Sequence, residues 1–246
     1  MLRKLSIICS SVMLLSLISC SGLRSASPED AQRVLSVASS YRGGNKSLGN
    51  TKETRLPLKA GQWAAVLIRS KTEPNDVTLQ ITKVAEASGH TVTIELEQYP
   101  ARDGGKRTVI QQRMQNVPSL SSVYTKTIDA AAVRDIKVDR VRIMGPDGQI
   151  QELPQLPFAA GGVGANFLQS SIAMGDVKSE PCQSTEIKAS RCYVVPYEVK
   201  VLWFSDHGTT YAHSDIPVLG FIRSDGEKSE MTVIGYGTSG ASVLIH

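Results

Sequence analysis

Two stretches of strict two-residue alternation constrain the fold of this chain more than any other feature. Val77, Leu79 and Ile81 interleave with Thr78, Gln80 and Thr82, and Val92, Ile94 and Leu96 interleave with Thr93, Glu95 and Glu97. A period of two sends successive side chains to opposite faces of a strand. Ser88-Gly89 between the stretches is a turn signal, and similar runs at 63–69 and 107–115 flank them across Glu73-Pro74-Asn75-Asp76 and Asp103-Gly104-Gly105. The expectation is an antiparallel meander with one apolar face and one wet face. Glu95 and Glu97 fall on the wet side. As a pair they have the residue types of a sugar hydrolase's acid and base, but a solvated strand face accounts for them.

An apolar face needs a cover, and residues 28–41 supply one. Ser27 can cap a helix, Pro28 suits its first position, and Glu29 and Asp30 complement its dipole. Ala31, Val34, Leu35, Ala38 and Tyr41 then recur at helical spacing until Gly43-Gly44. Further along, Asp129-Ala130-Ala131-Ala132 predicts a short crossing helix over 127–135. Residues 138–144 and 150–153, either side of Pro146-Asp147-Gly148, predict a hairpin. Residues 154–164 are a proline- and glycine-rich connector and the best candidate for an internal boundary. Strands are expected again at 167–172, 186–204 with a bend at Pro196, 219–223, 231–236 and 242–245. The fold class is mainly β: a curved antiparallel sheet or partial barrel, with the N-terminal amphipathic helix on its concave side.

At the N-terminus, Arg3 and Lys4 precede a 15-residue run, 5–19, that is mostly apolar but interrupted by four serines. A membrane-spanning helix needs about 20 predominantly apolar residues, so the run reads as a secretory signal. It ends in Leu17-Ile18-Ser19-Cys20, which resembles the lipobox of bacterial lipoproteins. The resemblance covers the first 20 or so residues. It implies diacylglycerol on Cys20, cleavage before it and acylation of the new terminus, and two or more acyl chains suffice for stable membrane attachment. Ser21 stands where the enterobacterial members carry an aspartate for inner-membrane retention. The implied destination is therefore the outer membrane, with the domain in the periplasm. On this reading 1–19 is signal peptide, 20–27 a lipidated tether and 28–246 a β-rich domain. A helix followed by a curved meander also resembles, in outline, the lipoprotein carrier and receptor proteins of the outer membrane.

The formal charge of +4 falls to +2 once Arg3 and Lys4 are removed. Without a dense basic run there is no electrostatic footprint for nucleic acid. Loss of Cys9 and acylation of Cys20 leave Cys182 and Cys192 as the thiols of the domain, and in an exported protein such a pair suggests a disulfide.

Candidate chemical motifs weaken on inspection. Gly235-Tyr236-Gly237-Thr238-Ser239-Gly240 matches a dinucleotide fingerprint letter for letter, but that fingerprint needs a following helix, and the six residues after Gly240 leave no room for one. A turn between two strands is expected instead. His90, Asp135 and Ser239 follow the order of a chymotrypsin-like triad without the strands that would build a specificity pocket. Asp206, His207, His213 and Asp215 form the one local concentration of metal-competent ligands, although Asp206-His207-Gly208 reads equally well as a hairpin tip. Tyr193, Tyr197, Trp203, Phe204 and Tyr211 cluster near the cysteine pair, where core packing is the commoner role for aromatics. No cofactor is implied. The function expected first is a non-enzymatic envelope lipoprotein holding a lipid or other apolar ligand between sheet and helix. The alternative is a structural or assembly lipoprotein contacting another envelope protein, with a hydrolase or metal-binding domain third.

Overall fold

The structure, a computed structural model, describes residues 25–42, 47–117, 136–153, 171–201 and 204–246. The expected lipobox with Cys20, the 127–135 helix, the 154–164 connector, Asp135 and Trp203 lie outside the described residues.

Helix α1 (Pro28–Ser39) begins as its sequence predicts, with the Ser27 side chain accepting a hydrogen bond from the Asp30 N–H at 3.1 Å. Among the described residues, thirteen strands form one sheet. In chain order they are β1 (Leu48–Asn50), β2 (Trp63–Ser70), β3 (Val77–Ser88), β4 (Thr91–Pro100), β5 (Thr108–Gln115), β6 (Lys137–Met144), β7 (Ile150–Leu153), β8 (Ser171–Met174), β9 (Lys178–Pro181), β10 (Ala189–Val201), β11 (Phe204–Ala212), β12 (Phe221–Gly226) and β13 (Ser229–Gly237). The order across the sheet is β1-β10-β11-β12-β13-β2-β3-β4-β5-β6-β7, with β8 and β9 also pairing β10. Two consecutive meanders are thus joined where β13 pairs β2. The path ends at β1 and β7, so the sheet is open rather than closed into a barrel.

Strand β2 sits at the middle of this path, and its unbroken apolar run follows from that position. Ala64 and Val66 pack on one face with Phe221, Met231, Val233 and Ile216. Ala65 and Leu67 pack on the other with Leu79, Ile81, Val34 and Ala38, so α1 covers the face carrying Val77, Leu79 and Ile81, as expected. Close approach of the helix end requires glycine at 235. A Cβ there would run into the Tyr41 carbonyl oxygen. The dinucleotide-like stretch is accordingly the end of β13 followed by an exposed turn.

The meander does not have one wet face, which corrects the sequence expectation. Its register sets Ile81 beside Glu97 and Thr82 beside Leu96, so the apolar sides of β3 and β4 face opposite ways. The turn fixes register, and side-chain parity follows from it. Both faces are covered: Gln80, Thr82 and Leu96 are buried on one, Glu95 and Glu97 on the other. A second correction concerns residues 242–245, which form no strand and instead cross the sheet face that also carries α1. The third is Asp206-His207-Gly208, which lies within β11 and pairs β10 and β12 rather than forming a hairpin tip.

Candidate functional site

One cross-strand row organises the most polar part of the interior. Trp63, Lys83, Glu95, Gln111, Arg142 and Glu152 are ladder partners in succession from β2 to β7. Past Gly237 the chain turns, the Ala241 N–H donates to the Gly61 carbonyl, and residues 242–246 run along this row. Lys83 Nζ donates to the Ser242 carbonyl at 2.6 Å. The Leu244 N–H donates to both oxygens of Glu95, at 2.9 and 3.0 Å, and the Ile245 N–H to Oε2 at 3.0 Å. Gln111 Nε2 donates to the Ile245 carbonyl at 2.6 Å, and Arg142 to the His246 carbonyl at 3.0 Å. Strands lie about 4.8 Å apart and an extended chain advances about 3.3 Å per residue, so four residues of strap match the three spacings from β3 to β6. Ile245 is buried against Val109 and Met144.

The electrostatics explain why carboxylates tolerate this burial. Glu95 is 0% exposed and Glu97 2%, and buried charge is stable only when paired and hydrogen-bonded. Lys83 forms ion pairs with both, the longer at 3.4 Å to Glu95. The strap amides satisfy Glu95, and Tyr99 donates its hydroxyl to Glu97 Oε2 at 3.1 Å. The Tyr99 phenol is pushed up to about 12, chiefly by burial and then by the charge and hydrogen bond of Glu97. Tyr41 is raised for the same leading reasons, burial first and Glu97 second, and its ring meets Trp63 edge-on at 5.9 Å. Both carboxylates are therefore engaged in anchoring side chains and main chain.

Beside the strap lies an open cleft of about 340 Å³, lined by Glu86, Thr93, Gln111, Arg140, Ser242 and Ile245 among others. Thr93 donates to Glu86 Oε2 at 3.1 Å, and Arg140 stands opposite Arg113 in the ladder. The outer strand of the β6–β7 hairpin is left to solvent on both faces. All four residues of β7 are exposed, with Ile150 at 50% and Leu153 at 40%, and among the described residues β7 ends the strand path.

The metal-competent residues are not brought together. His207 is exposed on β11 beside Glu227, 3.3 Å away. His213 is buried beyond the end of that strand, with Nε2 3.2 Å from the Gly49 carbonyl oxygen and Nδ1 accepting from the Asp215 N–H. Asp206 is buried and accepts from the Tyr197 hydroxyl and the Glu227 N–H, which fixes the turn between β12 and β13. Asp215 accepts from the Ser214 hydroxyl. His90 lies in the exposed β3–β4 turn and Ser239 in the exposed stretch after β13. Cys182 and Cys192 do form a disulfide, with Cα atoms 5.0 Å apart, and Cys192 is fully buried in the core beside Phe221 and Ile187. Of the aromatic group, Tyr211 packs on the same core and donates to Gln183.

The strap was not legible as a site in sequence. Its signal was Lys83, the one basic residue of β3, which pairs in register with Glu95 once the Ser88-Gly89 turn is placed.

No family model matches the chain, and no curated protein does. Among solved structures it is similar to a hypothetical protein from Chlamydia trachomatis determined at 2.0 Å resolution, with a TM-score of 0.40 and 10% sequence identity over 75% of this chain and 90% of that one.

Proposed function

We propose that this chain is a lipid-anchored envelope protein, tethered through Cys20, whose β domain acts in assembly by binding another envelope protein at the open β7 edge. The observation that carries the reading is β7 itself. An edge strand presents unpaired N–H and C=O groups to any extended segment, and natural proteins blunt such edges with charge, bulges or cover. Here the edge keeps Ile150 and Leu153 exposed, one on each face of the strand, which fits addition of a partner strand that carries apolar side chains on both of its faces. By contrast, the helix–sheet interface is filled by Val34, Ala38, Leu79 and Ile81, none of them exposed. That packing favours assembly over an acyl chain held beneath α1.

A photo-crosslinking residue at Ile150 or Leu153, introduced into cells, tests the reading. A discrete adduct with one envelope protein, lost when Glu152→Pro removes an N–H that faces away from β6, is the expected result. Adducts with lipid alone, or none, would overturn it. Cys20→Ser should move the chain out of the membrane fraction and abolish labelling by a lipid precursor; continued labelling would mean that the anchor lies elsewhere.

A further inference from the structure

The cleft beside the strap lies along a second cross-strand row. Glu86, Thr93, Arg113 and Arg140 are ladder partners in succession from β3 to β6. Thr93, Arg113 and Arg140 stand two residues along their strands from Glu95, Gln111 and Arg142, so they share the face that carries the strap. The strap runs in the same direction, from Lys83 on β3 to Arg142 on β6, and supplies one wall of the cleft through Ser242, Val243 and Ile245.

The row carries opposite charges at its two ends. Glu86 is exposed and uses one oxygen to accept from Thr93. Arg140 is half-buried and has no hydrogen bond or ion pair among the described residues. Arg113 beside it has only a distant counter-charge, Asp139 at 3.9 Å, and the same Asp139 oxygen already accepts from Gln115. Two guanidiniums in register repel each other, and a carboxylate between them would relieve this while accepting paired hydrogen bonds. On the facing wall, neither the N–H nor the carbonyl of Val243 is bonded among the described residues. The cleft thus offers a cationic end, an anionic end and free main-chain groups along one side.

We propose that the cleft binds a short peptide with free termini, its carboxylate at Arg140 and Arg113, its ammonium at Glu86 and its main chain alongside Val243. The two ends of the row are three strand spacings apart, about 14 Å, and an extended tripeptide covers about 10 Å, which leaves the charged side chains to lean in. A volume of about 340 Å³ is near the lower limit for small-ligand sites, and the short side chains of Ala85 and Val243 in its lining suit small residues. A bare anion would leave Glu86 and the Val243 main chain unused. The β7 edge takes no part in this site, so the proposal goes beyond the assembly reading and stands or falls apart from it.

The test titrates trialanine into the purified full chain in detergent, by calorimetry and by amide chemical shifts. Binding with a Kd of about 1 mM or tighter is expected, with the Arg140 and Val243 amides shifting and those of Ile150 to Leu153 unmoved. Amidation of the peptide's C-terminus should weaken binding at least about tenfold, the loss of a charge-assisted contact, and acetylation of its N-terminus at least about threefold. Arg140→Gln should abolish the preference for the free acid, and Glu86→Gln the preference for the free amine. Absence of binding, an amidation effect below about twofold, or inorganic phosphate binding as tightly as the peptide would overturn the proposal. Shifts confined to Ile150 to Leu153 would also overturn it while leaving the assembly reading intact. Should either variant fail to fold, the amidated and acetylated peptides decide the matter on the parent chain.

Discussion

Glu95→Gln isolates the interaction on which the strap depends. In the parent the carboxylate receives the Leu244 and Ile245 N–H groups and the Lys83 ammonium. Glutamine keeps the shape but has one oxygen, and it turns an NH2 group towards donors. At least one charge-assisted bond goes, at about 1.5–3 kcal/mol, and a buried N–H is left unsatisfied at about 1–3 kcal/mol. These costs overlap, so about 2–4 kcal/mol is a reasonable total. Burial of Ile245 contributes about 1.5–3 kcal/mol in the other direction, so the segment should open often without the sheet unfolding. Hydrogen exchange read residue by residue is the appropriate assay. Protection of the Leu244 and Ile245 amides should fall by roughly 30- to 1,000-fold, at 1.36 kcal/mol per tenfold, with the Val66 and Ile81 amides unchanged. Protection at 244 and 245 that holds within about threefold would refute the reasoning, since it would put the anchoring elsewhere. A uniform loss across the sheet would show that strap and sheet open together.

Tyr99 gives a pH prediction. Its phenol titrates near 12 in the fold against an ordinary 10, so the stability it lends by staying protonated is complete below pH 10 and is lost as pH rises from 10 to 12. Urea midpoints across that window should fall for the parent and fall less for Tyr99→Phe; parallel curves would remove the assignment. Gly235→Ala should cost about 1–3 kcal/mol by overpacking and disturb the Tyr41–Trp63 contact, seen as a change in tryptophan emission; an unshifted midpoint would mean the helix end yields freely. Reduction of Cys182–Cys192, a pair ten residues apart in sequence, should lower stability by about 2.5–3 kcal/mol on the chain-entropy account, and a negligible loss would count against that account here.

The alternation in β3 and β4 and the turn residues around them made the hairpins readable, as did the Ser27 cap and the spacing of Ala31, Val34 and Ala38 for α1. Those are local signals, each complete within a dozen residues. The error over Glu95 and Glu97 arose because alternation reveals that a strand has two faces but not what covers either one. Their cover is Leu244 and Ile245, far along the chain and carrying no pattern that points to them. The same run looked like a strand because its composition suits extended backbone, which it has; what it lacks is a ladder partner. His207 and His213 seemed close in sequence, but a strand between them separates an exposed ring from a buried one.

The seam between β2 and β13 bears on how the chain reaches this state. Val66 lies beside Val233, so the most continuously apolar strand of the first meander emerges from synthesis long before its neighbour exists. Pairing across such a distance is slow, and until it happens Trp63–Ser70 is a naked hydrophobic edge of the kind that promotes aggregation. During that interval the chain depends on a holding chaperone or on the speed of its second half, and variants that delay β10 to β13 should harm yield more than they harm the finished protein.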